Sequence, residues 1–82
     1  MPMLFHYLVD SVDFLGHRAT REMIVIAGGE EEARQEVAAY FQMHREVEQW
    51  AVVAVLETRQ LPPDDPYARQ YGCEGAHSFI LP

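Results

Sequence analysis

The fold is decided by residues 22–41, which read EMIVIAGGEEEARQEVAAYF. The apolar, mostly β-branched residues at 23–26 favour a strand, and the two glycines that follow interrupt it. The three acids at 30–32 suit the first turn of a helix, where the positive end of the helix dipole lies. Apolar residues then recur at helical spacing, at Ala33, Val37, Ala38 and Phe41. The segment predicts a strand, a turn and a helix over about residues 30–43, with Glu36 facing water.

Strand-like runs flank this segment on both sides. Residues 4–14 carry apolar side chains on both alternating faces, which is typical of a central strand or of a bulge near Ser11. Residues 15–18 form a turn in which Gly16 can adopt a positive φ, so residues 19–27 return as the second strand of an antiparallel hairpin. Residues 50–59 form a third strand, whose nearly continuous apolar character predicts burial on both faces or a central position.

The C-terminal third predicts smaller elements. Residues 62–66 are a proline-stiffened loop, residues 67–71 a single helical turn and residues 77–81 a short edge strand. Because the helix crosses one face of the sheet, the third strand should run parallel to the second and lie beside the first, in the order 2-1-3. The class is therefore α+β: a single domain over residues 1–82 with a β-β-α-β core, a short C-terminal strand and one helix packed on an antiparallel-rich sheet. The expected core includes Val25, Val37, Phe41, Val53 and Val55.

The composition limits the classes of partner. Thirteen acids against six arginines give a formal net charge of −7, which argues against direct nucleic-acid binding, since phosphate contacts need a basic surface. The same charge permits a basic protein surface as partner. The alternative is that acidity only maintains solubility.

The cysteine content and the hydropathy pattern bear on the compartment. A single cysteine allows no intrachain disulfide, which favours a reducing compartment. The N-terminus lacks the charged and apolar regions of a signal peptide, and no apolar stretch approaches the ~20 residues of a membrane span. We therefore expect a cytoplasmic protein without a membrane partner.

The sequence contains only weak candidates for catalytic, metal-binding or anion-binding motifs. Cys73 and His77 could bind a metal or form a nucleophile–base pair, but a closed zinc site needs two more ligands and no oxyanion-hole motif accompanies the cysteine. Gly28 and Gly29 at a helix start could bind an anion, but the adjacent glutamates would repel it. We expect no catalytic residue, no metal and no cofactor.

The residues most suited to partner binding are acids and aromatics. Acidic residues on the helix would steer association with a basic surface, and acids and tyrosines of the C-terminal segment would add contacts. The alternative for the tyrosines is that they cap the open sheet. The candidates are Glu30, Glu31, Glu32, Glu36, Asp64, Asp65, Tyr67, Tyr71 and Glu74.

The order of elements resembles two known groups. It is carried by Tyr7-Leu8-Val9-Asp10, by residues 23–27 and by Glu31-Glu32-Ala33 at the helix start. One group is a small archaeal large-subunit ribosomal protein, but that family is basic. The other is the small phage-encoded anti-CRISPR proteins, which are often acidic and carry no enzymatic motif. The second resemblance implies an inhibitor, encoded by a phage and located in the cytoplasm of the host cell, that binds a Cas effector or surveillance complex.

Two alternatives remain open at this point. One is a homo-oligomeric bacterial accessory domain, for example a homodimer, that uses the exposed sheet face and an edge strand. The other is a small enzyme or metal protein built around Cys73 and His77.

Overall fold

The computed structural model describes residues 2–71 and 75–82. Its elements, in chain order, are β1 (Met3–Asp13), β2 (Arg18–Ala27), α1 (Glu30–Met43), β3 (Val47–Gln60), α2 (Pro66–Tyr71) and β4 (His77–Ile80). The strands form one sheet in the order β3-β1-β2-β4, and all neighbouring pairs are antiparallel. The predicted α+β class, the helix over residues 30–43 and the order 2-1-3 of the first three strands are confirmed.

The turn between β1 and β2 is organised by Asp13. Its Oδ1 atom accepts hydrogen bonds from the backbone N–H groups of Leu15, at 2.9 Å, and His17, at 2.8 Å. Gly16 has a φ of +82°, in the left-handed region that glycine adopts without a steric penalty. The predicted turn and the role of Gly16 are confirmed.

Residues 4–9 of β1 and 23–27 of β2 are largely buried on both faces of the sheet. One face of the sheet carries Val25 and packs against Val37 and Phe41 of α1, and these three predicted core residues are all buried. The other face buries Leu4, Ile24 and Ile26, which lie against Leu61, Ala68 and the half-buried residues around α2 and β4. This double burial explains why β1 carries apolar residues on both of its alternating faces. Because α1 and α2 lie on opposite faces, the sheet separates them.

The third strand lies beside β1 as predicted, but the expectation that its apolar run is buried on both faces or lies centrally in the sheet was wrong. Among the described residues β3 pairs with β1 alone, so it lies at an edge of the sheet, and α1 packs mainly over β2 and β4. The side chains of Val53 and Val55 are each 50% exposed, so neither belongs to the core. An apolar run shows that a strand can be buried, but the elements that cover it decide whether it is.

Bulges interrupt the pairing of β3. Register shifts along β1 leave Glu48, Val53 and Leu56 of β3 without an opposite residue. Bulges twist an edge strand and hinder regular pairing with another chain. The exposed edge therefore has some protection, although its central residues 50–56 carry no charge.

One residue of α1, Glu36, lies in an environment that differs from the prediction. Glu36 was expected to face water, but it is half-buried and its Oε1 atom accepts a hydrogen bond from the Ser78 hydroxyl at 3.3 Å. The reason is that β4 adds to the sheet beside β2 and reaches the flank of α1. Glu36 thus links the helix to the last strand.

Candidate functional site

The start of α1 carries an exposed acidic cluster. Glu30, Glu31 and Glu32 all lie in the first turn and are exposed. Two of them have weak local contacts: Glu32 Oε1 lies 3.4 Å from the Gly28 nitrogen, and Glu30 Oε1 lies 3.5 Å from Nε of Arg34. Glu31 has no contact of this kind within the described residues. The cluster suits the helix dipole and also presents negative charge to solvent.

A cleft of about 280 Å³ opens beside this cluster, and we call it the α1–β3 cleft. It exists because α1 leaves the inner face of β3 uncovered. The register places Val55 opposite Tyr7 and Thr58 opposite Phe5, so these side chains share the face that α1 occupies farther along. Its lining consists of Met3, Phe5, Tyr7, Glu30, Val55 and Thr58. The walls are therefore largely apolar, with a carboxylate at the rim.

Tyr7 is the unusual member of this lining. Its side chain is 0% exposed, and its hydroxyl has no hydrogen-bond partner within the described residues. Burial raises the pKa of the hydroxyl, and the nearby Arg34, whose guanidinium carbon lies 5.9 Å from the ring centroid, opposes that rise. A buried hydroxyl without a partner costs stability, and such groups are rare in native proteins.

The C-terminal candidates have intramolecular roles. Asp65 Oδ2 accepts a hydrogen bond of 2.9 Å from Nη1 of Arg59, and Asp65 Oδ1 accepts one from the backbone N–H of Tyr67 at 2.9 Å. Asp65 therefore caps α2, with Pro66 at the first helical position, as is common. The hydrogen bond from Arg59 is the main cause that holds the pKa of Asp65 below its usual value.

The candidate residues do not form one surface. Tyr67 is half-buried and stacks on Phe79 at 6.2 Å, on the face of the sheet opposite α1. Asp64 is exposed. Glu74, Cys73 and the side chain of Tyr71 lie outside the described part of the structure. The candidates that the structure brings together are thus Glu30, Glu31 and Glu32.

A second cleft, of about 440 Å³, lies at the other end of α1, and we call it the hairpin cleft. Two histidine–carboxylate pairs line it: His17 Nδ1 lies 3.2 Å from Asp13 Oδ2, and His44 Nδ1 lies 3.4 Å from Glu46 Oε1. The backbone N–H of Phe14 donates to the carbonyl of Glu46 at 3.2 Å and so joins the two loops. The hydrogen bond that the backbone N–H of His17 donates to the Asp13 carboxylate is the largest cause of the lowered pKa of Asp13.

Sequence reasoning missed the hairpin cleft. The spacings Asp13–His17 and His44–Glu46 are visible in the chain, but each is only a local pair. The cleft arises because the strand order brings the β1–β2 turn next to the end of α1. No sequence pattern linked these two loops.

Residues 2–71 and 75–82 contain neither a candidate metal site nor a candidate membrane-spanning helix. No three histidine, cysteine or acidic side chains of this part gather in a way that could hold a metal ion. No helix there is long and apolar enough to cross a membrane. Comparison with protein families, curated proteins and solved structures returns no match for this chain.

Proposed function

We propose that this chain is a non-enzymatic binding protein that recognises a basic surface of another protein through the acidic start of α1 and the α1–β3 cleft. The observation that carries the proposal is the cleft: its lining includes Tyr7, whose buried hydroxyl has no partner within the described residues, and its rim holds an exposed carboxylate. The acidic cluster alone would be explained by the helix dipole. The hydroxyl and the cleft are not explained by it.

The chemistry of the cleft suits a lysine or arginine side chain. Its aliphatic part would lie against Met3, Phe5 and Val55, and its charged end would meet the carboxylate of Glu30. Because the Tyr7 hydroxyl is buried in the free chain, such a side chain would have to part the lining of the cleft before it could donate a hydrogen bond to the hydroxyl oxygen. An anionic partner would instead meet repulsion from three glutamates.

Charge would act mainly on the rate of encounter. Opposite charges accelerate association, and salt screens this acceleration over a Debye length of about 8 Å at physiological ionic strength. Glu31 is best placed to steer a partner, because it is exposed and makes no ion pair within the described residues. Asp65 contributes less, since its carboxylate is already held by Arg59.

The narrower proposal concerns the partner. The resemblance in size and pattern to anti-CRISPR proteins favours an inhibitor that acts in the cytoplasm on a Cas effector or surveillance complex. The basic grooves of such complexes fit the charge of this chain. This narrower form rests on the resemblance and the charge, and it requires no residue of this chain to carry out chemistry.

The test begins with affinity capture of Cas complexes from a CRISPR-bearing lysate and continues with binding kinetics. Glu31→Arg should slow association several-fold, while Glu48→Arg should have a smaller effect. The control makes the same charge change at an exposed residue of β3, away from the cleft. Equal effects of the two variants on the association rate would contradict a binding site at the start of α1. Capture of no Cas component, with unchanged phage survival in CRISPR-active cells, would reject the inhibitor proposal.

A second candidate function is self-association through the edge of β3. It is favoured by one observation: Val53, Val55 and Leu56 are each about half exposed on a long strand whose outer edge has no partner strand among the described residues. Exposed apolar edges are sites where strands of another chain add to a sheet. A homodimer built this way would make the chain an oligomeric accessory domain.

A further inference from the structure

The hairpin cleft lies at the end of α1 opposite the acidic cluster, and its floor is apolar. Val9, Val47 and Ile80 contribute aliphatic surface, and the rings of Tyr40 and Phe41 contribute aromatic surface. The volume of about 440 Å³ falls within the range of small-molecule sites. The proposed partner site does not include any of these residues.

The aromatic wall of the cleft is preorganised. Tyr40 and Phe41 are arranged edge to face with ring centroids 5.1 Å apart, and the His44 ring lies 4.2 Å from that of Tyr40. Aromatic groups of this kind favour flat, apolar ligand bodies, which can stack on a face or meet an edge. The wall belongs to the last turn of α1 and to its cap residue, so the helix holds it in place.

The charged groups at the rim differ in their local partners. Asp13 accepts hydrogen bonds from the backbone N–H groups of Leu15 and His17, and Asp13 and Glu46 each lie against a histidine ring. Arg18 and Arg21 also line the cleft, and neither makes an ion pair within the described residues. Arg21 stands opposite Val9 in the hairpin register, which places it on the face of the sheet that forms the floor. Guanidinium groups without a carboxylate partner are the usual ligands for carboxylate or phosphate groups.

From these observations we propose that the hairpin cleft binds a small molecule that joins an anionic group, a phosphate or a carboxylate, to a flat apolar body. The apolar body lies against Tyr40 and Phe41. The anionic group lies at the rim, where Arg21 and Arg18 bind it. This site is independent of the partner surface at the start of α1.

Nuclear magnetic resonance titration of the ¹⁵N-labelled full chain tests the proposal, with phenyl phosphate as the probe. Inorganic phosphate and benzyl alcohol represent the two halves of the ligand. We expect saturable shifts in the amides near Arg21 and residues 40–47 with phenyl phosphate, and weaker binding of either half. Shifts scattered over the whole surface, or benzyl alcohol binding as tightly as phenyl phosphate, would overturn the proposal.

A matched pair of variants locates the anion. Arg21→Gln should weaken phenyl phosphate binding by about two- to fivefold, as for an exposed ion pair. Arg69→Gln removes the same charge from α2, on the other face of the sheet, and should leave binding unchanged. Amide shifts outside the cleft report whether each variant keeps its fold, and Arg18→Gln provides a second test at the rim. Equal affinity of the Arg21 and Arg69 variants for phenyl phosphate would overturn the proposal that Arg21 binds the anionic group.

Discussion

The indole ring of Trp50 stacks on the ring of Phe41, with centroids 5.2 Å apart and an interplanar angle of 15°. This contact joins the end of α1 to β3 at an edge of the sheet that the helix otherwise leaves open. Because Trp50 is the only tryptophan, its fluorescence reports on the contact between helix and edge strand.

Phe41→Ala should destabilise the domain by about 3–5 kcal/mol, because it leaves a cavity under α1 and removes the stacking partner of Trp50. Denaturant unfolding followed by Trp50 fluorescence measures the change. Phe14→Ala is the matched control, since Phe14 is 66% exposed in the hairpin turn and its loss should cost less than about 0.5 kcal/mol. Similar losses in the two variants would contradict the burial of Phe41.

Asp65→Asn should lower stability at neutral pH, because it removes the charge that pairs with Arg59 while keeping an oxygen that can cap α2. The folded-state pKa of Asp65 is lowered. Its contribution is therefore fully present above the unfolded pKa of about 3.9 and is lost as the pH falls through the folded value. The difference between variant and parent should shrink below about pH 4.

Unfolding curves recorded at several pH values measure this difference. Asp64→Asn is the neighbouring control, since Asp64 is exposed and has no ion pair within the described residues. A stability gap for Asp65→Asn that stays constant through the acidic range would show that the charge on Asp65 is not the cause.

The elements specified by local signals could be predicted. Two glycines, three acids and an apolar stripe mark the start and the buried face of α1, so its bounds and the burial of Val37 and Phe41 followed from the chain. The position of β3 could not be predicted in the same way. The apolar run at residues 51–56 is compatible with a central strand, and its exposure depends on which strands α1 covers.

The residues of the candidate site differ in the same way: the environment of some could be predicted from local signals, and that of others depends on packing. The exposure of Glu30, Glu31 and Glu32 follows from their place in the first helical turn. The pairing of Asp65 with Arg59 depends on how the chain turns after β3 to begin α2, and no spacing rule identifies it. The Tyr7 hydroxyl, which has no partner in the part of the chain that the structure describes, is likewise a property of packing, because an alternating strand pattern predicts burial without specifying hydrogen-bond partners.

Tyr7→Phe should have opposite effects on stability and on partner binding. Removal of a buried hydroxyl that has no partner should leave the free energy of unfolding unchanged or raise it slightly. If a basic side chain of the partner donates to this hydroxyl, the same change should speed dissociation of the complex. Chemical unfolding and binding kinetics measure the two effects. A loss of stability above about 1 kcal/mol would mean that the hydroxyl is satisfied within the fold.

The edge of β3 gives the last prediction, which decides between the two candidate functions. If copies of the chain pair through this edge, sedimentation equilibrium should show a mass that rises with concentration above the monomer value of 9.4 kDa. Val53→Lys should then hold the chain at the monomer mass, because a lysine on an edge strand opposes pairing with another strand. Ala39→Lys adds the same charge at an exposed position of α1 and should not prevent association. A chain that stays at 9.4 kDa at all concentrations would reject the oligomeric function and leave this edge free for a different protein.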